Sequence, residues 1–232
     1  MTAAALRPSD RASQPVLASF GAPPVEGPVE GMAALDRIGT VVTLDRDSSL
    51  FYEGDAADYY FRVIKGAVRS SKMLADGRRH IGAFFLAGDF IGLDADAIYP
   101  FVAEAMTSVT VMRYSRRKID VLISEQPRVA TYLVGIMRDG LCSARQRMTA
   151  LGHMTAMERV ASFLLELANR ADDVRISLPM TRTDIGDYLG LTMETVSRAF
   201  SQLKNEGIIK QQNVHELAIV DRAALENLGE AA

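Results

Sequence analysis

Glu194, Ser197 and Arg198 fall at relative positions i, i+3 and i+4 of the run TMETVSRAF, so on a helix they share one face. Arg can donate two hydrogen bonds to guanine O6 and N7. Glu can accept from cytosine N4, and Ser reaches polar base edges or a thymine methyl. Val196, Ala199, Phe200 and Leu203 recur at three- and four-residue intervals on the opposite side and must face a core. Ser201 and Lys204 extend the polar side. An isolated E-x-x-S-R would describe any amphipathic helix with a solvated face. The elements placed around it decide between that reading and a major-groove reader.

Those elements form a compact grammar. Thr181 with Asp184 makes a capping-box start for a short helix that buries Ile185, Tyr188 and Leu189. Gly190 supplies a turn tolerant of positive φ. Thr192 then caps the second helix, which runs to Glu206 and is stopped by Gly207. Residues 208–211 and 217–220 read as two strands of a wing, and Asp221 as the cap of a short terminal helix. A capped short helix, a Gly turn and a capped second helix predict a winged helix-turn-helix. Thr181, Arg182, Thr183, Thr192, Ser201 and Lys204 become candidate phosphate contacts.

Upstream the chain divides by composition. Residues 1–30 are rich in Ala, Pro, Ser and Gly, show no periodicity and read as a mobile arm. Across 31–123, Gly54, Gly66, Gly77 and Gly88 recur about 11 residues apart between β-rich runs such as YYFRVIKGAVRSSKML and VTVMRYS. That spacing predicts an antiparallel sandwich or barrel. Residues 124–152 read as one long helix with Pro127 in its first turn. Its apolar stripe includes Val129, Leu133, Ile136, Met137, Leu141, Ala144 and Met148, long and continuous enough for a two-helix seam between subunits. Gly152-His153 breaks the pattern as a hinge. Thr155 and Glu158 then cap a helix through Asn169 that opens the last domain, 153–232.

GLTMETVSRAFSQL resembles the recognition helix of the CRP/FNR superfamily of bacterial transcription regulators. The E-x-x-S-R form resembles the FNR and FixK branches rather than the cyclic-AMP receptor branch, which carries R-E-x-x-x-R. The similarity runs over roughly 31–220 and is strong in the helix-turn-helix and in DGRRHIGAFFLAGDFIG. It implies an α+β fold: an N-terminal β-roll, a jelly roll like that of cyclic-nucleotide-binding domains, then a dimerisation helix and the winged helix-turn-helix. It further implies a homodimer on palindromic double-stranded DNA, with TTGAT-like half-sites. Arg198 would meet guanine, Glu194 the cytosine of the opposite strand, and Ser197 a thymine. RNA polymerase would be the partner of an activator, through β-roll surface loops.

Sensor chemistry is poorly provided for. The stretch GDFIGLDADAIYPFVAEAM has Tyr99-Pro100 where the resemblance calls for an Arg-Ser pair on a cyclic-nucleotide phosphate, and Asp94 and Asp96 would repel one. One cysteine cannot hold an iron–sulfur cluster, which needs about four thiolates. His80, His153 and His215 lie far apart in sequence and outside any haem or cupin-type metal motif, so no metal site, no cofactor and no catalytic residues are expected. Cys142, on the long helix, is a packing residue or a candidate redox-sensitive thiol. Two functions therefore stand. One is an effector-free regulator of the FixK kind, which the resemblance ties to microaerobic respiration, denitrification or nitrogen fixation. The alternative is a regulator gated by cyclic nucleotide or by Cys142 oxidation. A net charge of −3 argues against non-specific polyanion coating. The lone cysteine, with no apolar run long enough for a membrane span, points to the cytoplasm.

Overall fold

The computed structural model describes residues 29–229 apart from 172 and 174. The expected arm therefore lies outside the described residues except for its last two positions. These open a helix the sequence reading passed over, α1 (Val29–Ile38).

Eight strands follow: β1 (Thr40–Leu44), β2 (Ser49–Phe51), β3 (Tyr59–Lys65), β4 (Val68–Met73), β5 (Arg79–Phe85), β6 (Phe90–Ile91), β7 (Val102–Ala105) and β8 (Val109–Ser115). They form two antiparallel four-stranded sheets, ordered β1-β8-β3-β6 and β2-β7-β4-β5. Inward-facing residues alternate along the strands, as a half-buried pleat requires. Phe61 and Val63 of β3 meet Val109 and Val111 of β8, and Phe51, Val68, Ala103 and Ala105 close the core from the other sheet. Gly54, Gly66, Gly77 and Gly88 take φ of 88, 90, 82 and 98°, at the turns their spacing announced.

Helices α2 (Arg116–Glu125) and α3 (Pro127–His153) come next, with Pro127 at the start of α3. The apolar stripe of α3 divides between two duties. Val129 and Leu133, read from the sequence as seam residues, are buried within their own chain together with Tyr132. They pack on Ala34 and Leu35 of α1, Ile119 and Leu122 of α2, and Phe90 and Tyr114 of the β-roll. Ile136 is partly buried against the same cluster. These side chains are thus already covered by their own chain. Val134, Met137, Leu141, Met148 and Leu151 are the large apolar residues of α3 left exposed, by 62, 50, 53, 73 and 40 % respectively. Ala144 lies half-buried among them.

The hinge also moves. Helix α3 continues through His153, and the backbone becomes extended at Met154 (φ −85°, ψ 144°). Helix α4 (Ala156–Ala171) starts on the anticipated box: Thr155 N donates to Glu158 Oε2 (2.7 Å), and Glu158 N to Thr155 Oγ1 (3.4 Å). The remaining elements are β9 (Arg175–Ser177), α5 (Arg182–Leu189), α6 (Met193–Asn205), β10 (Ile209–Asn213), β11 (Glu216–Ile219) and α7 (Arg222–Gly229). The wing is a three-stranded sheet, β10-β11-β9, one strand more than its two sequence runs indicated.

The β-roll and the C-terminal domain share one apolar cluster. Ile81, Phe84 and Met106 of the β-roll join Phe163, Leu164 and Tyr188 there. The Phe84 ring centroid lies 5.0 Å from Tyr188 and 6.4 Å from Phe163, the latter edge to face. Burying each such side chain contributes about 1.5–3 kcal/mol.

Candidate nucleic-acid interface

Helix α5 begins on a complete capping box. Asp184 N donates to Thr181 Oγ1 (3.1 Å), and Thr181 N donates to Asp184 Oδ2 (3.0 Å). The helix ends at Gly190, which adopts the left-handed conformation (φ 66°). Gly186 matters for a different reason. A Cβ there would stand 2.7 Å from the Leu191 carbonyl, so only glycine lets the turn fold this closely over α5. The turn then delivers Thr192, whose Oγ1 accepts from Thr195 N (3.2 Å) and caps α6.

Val196, Ala199, Phe200 and Leu203 of α6 are buried, as their period required. Glu194 and Arg198 are exposed and Ser197 is half-exposed. The structure thus brings the three candidate base readers to one open face at the start of α6. Its own backbone N–H, the Thr192 hydroxyl and the Arg198 charge hold the Glu194 carboxyl below its ordinary range. Glu194 is accordingly an acceptor at neutral pH, as a contact to an amino group requires. A shallow groove of about 400 Å³ runs beside this face, lined by Ser197, Arg198, Ser201, Gln202, Asn205 and Glu206. Gln202 and Asn205 were not singled out from sequence. Their positions, four and seven residues beyond Arg198, are the signal that could have found them.

The candidate phosphate contacts separate on geometry. Thr183, Thr192 and Lys204 are exposed. Arg182 is not extended: its guanidinium lies 3.4 Å from the centre of the Phe200 ring, and burial pulls it down to about 10, still charged at neutral pH. Thr181 donates its hydroxyl proton to Asp184 Oδ2 (2.7 Å) and Ser201 donates to the Ser197 carbonyl (2.9 Å). Neither proton is therefore free for a phosphate oxygen without rearrangement.

The side of α5 that meets β5 carries Asp184, Asp187 and Tyr188, at i, i+3 and i+4. Four arginines meet this helix. Arg69 of β4 donates to Asp184 Oδ1 (3.1 Å) and to Glu104 (3.2 Å). Arg79 of β5 donates to Asp184 Oδ1 (2.6 Å) and Asp187 Oδ2 (2.7 Å). Arg147 of α3 donates to the Tyr188 hydroxyl (2.8 Å) and the Gly82 carbonyl (2.9 Å). Arg159 of α4 reaches the carbonyls of Leu151, Met154 and Leu189, so it ties the end of α3 to the end of α5. Burial pushes the Asp184 carboxyl up, but hydrogen bonds from Thr181 and the charges of Arg69 and Arg79 outweigh it and leave it below its ordinary value.

In the β-roll, the segment that would have to hold a cyclic-nucleotide phosphate is committed elsewhere. Arg116 donates to the carbonyls of Gly92, Ala95 and Asp96, and its guanidinium lies over the Tyr60 ring (4.6 Å). Tyr99 is buried, stacks on Phe51 with ring centroids 3.6 Å apart, and donates to the Tyr59 carbonyl (2.7 Å). Asp94 and Asp96 face outward. The singly charged phosphate of a cyclic nucleotide would find no cation within residues 92–99, and the neighbouring Arg116 is already engaged by three carbonyls of this loop. Cys142 is exposed on α3, beside Leu141.

A β-roll, a long helix and a capped reading helix define a DNA-binding transcription regulator, not an enzyme. The family model of the Crp-like helix-turn-helix domain matches residues 158–228, and that of the cyclic nucleotide-binding domain matches residues 41–126. The nitrogen fixation regulation protein FixK of Azorhizobium caulinodans is 36% identical over 207 residues, covering 87% of this chain and 82% of that protein. FixK of Rhizobium meliloti is 35% identical, over 85% of this chain and 91% of its own length. The solved structure of FixK2 from Bradyrhizobium japonicum superposes with a TM-score of 0.80 at 42% identity, covering 84% of this chain and 99% of that one. The chain belongs to the FixK-like branch of the CRP/FNR superfamily.

Proposed function

We propose that this regulator binds a palindromic operator with TTGAT-like half-sites as a homodimer, needs no small effector to do so, and activates transcription through contact with RNA polymerase. The observation that carries the reading is the joint exposure of Glu194, Ser197 and Arg198 at the start of the doubly capped α6. The exposed stripe Val134, Met137, Leu141 and Met148 supports self-association, because such a row of large apolar side chains is costly to leave in water. The commitment of Arg116 and Tyr99 supports effector independence. The names of the FixK relatives support nitrogen fixation or allied low-oxygen metabolism as the target gene class. No helix among the described residues is long and apolar enough to cross a membrane. The reading places the protein in the cytoplasm.

Binding-site selection from random duplexes with untreated protein tests this reading. Recovery of inverted TTGAT-like half-sites about one helical turn apart is the expected result. Enrichment of single half-sites would refute the dimer. Enrichment only after adding cyclic nucleotide would refute effector independence.

A further inference from the structure

We propose that Arg69 and Arg79 are positioning residues for operator recognition: the β-roll itself, through these two guanidinium groups, fixes the angle of the helix-turn-helix and thereby the half-site spacing the protein accepts. The inference rests on the palindromic-homodimer reading above. Helix α3, which would carry the dimer seam, packs on β6 and β8, and their sheet shares a core with the sheet that holds β4 and β5, so the seam and β4–β5 belong to one packed body. The reading head follows that body through Met154, whose backbone is extended (φ −85°, ψ 144°). Contacts on α5 fix the direction: the packing of Tyr188 on Phe84, the bonds of Arg147 and Arg159, and the two β-roll guanidinium groups of Arg69 and Arg79.

Asp184 and Asp187 receive Arg79, and Asp184 also receives Arg69, across 105 to 115 residues of sequence. The Asp184 carboxylate is 2 % exposed, and Arg69 and Arg79 are 17 and 27 % exposed. The pairs are thus largely out of solvent, where guanidinium–carboxylate geometry is directional and weakly screened. Asp184 has a second attachment, because its other oxygen closes the capping box that starts α5. One carboxylate therefore joins the β-roll to the first turn of the helix-turn-helix. None of these groups lies on the base-reading face of α6, so their loss alters where the two heads stand relative to each other and leaves the contacts of a single head intact.

Changing the half-site spacing by one base pair moves a half-site by about 3.4 Å and rotates it by about 34°. Wild type should discriminate strongly against duplexes lengthened or shortened by one base pair. In Arg69→Ala/Arg79→Ala the affinity ratio between correct and altered spacing should fall roughly tenfold, with affinity for an isolated half-site unchanged. Asp187→Asn, at a less buried site, should reproduce part of the effect and be non-additive with Arg79→Ala. Arg79→Lys should restore part of the discrimination. Melting and sedimentation confirm that each variant is folded and assembled. Unchanged spacing discrimination in folded variants, or additive effects of Asp187→Asn and Arg79→Ala, would overturn the proposal while leaving the operator reading intact. Absence of any spacing preference in wild type would overturn both.

Discussion

Arg198 stands exposed at the fourth position after Glu194, with its guanidinium directed away from the α6 core. Glu194 beside it is held ionised by its own amide, the Thr192 hydroxyl and Arg198. The pair therefore presents a donor fork and an acceptor that differ in sign, which is what neighbouring guanine and cytosine edges require. Arg198→Ala should cost about 1–3 kcal/mol for each half-site on operator DNA and much less on unrelated duplex. Fluorescence anisotropy on both duplexes measures this difference. Equal losses would make Arg198 a phosphate contact only. Arg182 illustrates the converse: it is basic and adjacent to the reader, yet packing on Phe200 makes it part of the α5–α6 joint.

Elements divide the apolar residues between folding and assembly. On α3, Val129 and Leu133 stabilise the attachment of the helix to its own β-roll, whereas Met137 is half exposed. Met137→Glu adds a charge to the outer stripe and leaves the inner one untouched. It should shift the protein towards monomer in sedimentation experiments and weaken operator binding without lowering helix content. An intact dimer at micromolar concentration would place the interface elsewhere. Helix α4 carries a different liability, Glu166, which is 7 % exposed. Burial raises its carboxyl well above the usual value, more than Arg147 and Arg170 lower it, and Asp89 adds to the rise. A raised carboxyl favours its protonated form in the fold. Its stabilising contribution is full below the unfolded value of about 4.3 and is lost as pH rises through the folded one. Glu166→Gln should therefore raise the melting temperature relative to wild type by more at pH 8 than at pH 5. A difference independent of pH would mean the ionised form is fully compensated.

At the scale of the molecule, the β-roll acts as a structural partner of the reading head. Phe84 enters the same apolar cluster as Phe163 and Tyr188, and Arg69, Arg79 and Arg147 bond α5 directly. Millimolar cyclic AMP or cyclic GMP should leave both operator affinity and melting temperature unchanged. A ligand at 100 times its dissociation constant would add about 2.7 kcal/mol, readily visible in a thermal melt. A shifted melt would mean that the Gly92–Tyr99 segment opens and releases Arg116.

The helix-turn-helix was legible in the sequence because its determinants are local. Thr181 with Asp184, Gly190, Thr192 and the three- and four-residue rhythm of α6 each act within a few residues. The regular glycines likewise announced the β-roll turns. Helix α1 was missed because Val29–Ile38 follows a Pro- and Gly-rich stretch and owes its place to packing on α3, as Ala34 and Leu35 show. Strand β9 is three residues long and exists by pairing with β11, so no periodicity could reveal it. Periodicity showed that α3 has an apolar stripe, but not that Val129 and Leu133 turn to their own β-roll while Met137 and Met148 remain outside. The sequence likewise shows Arg79 and Asp187 only as two charges 108 residues apart. Their meeting depends on how the β-roll, α3 and the reading head pack. Local chemistry determined which residues α6 presents to solvent, and long-range packing decided how the helix-turn-helix is held.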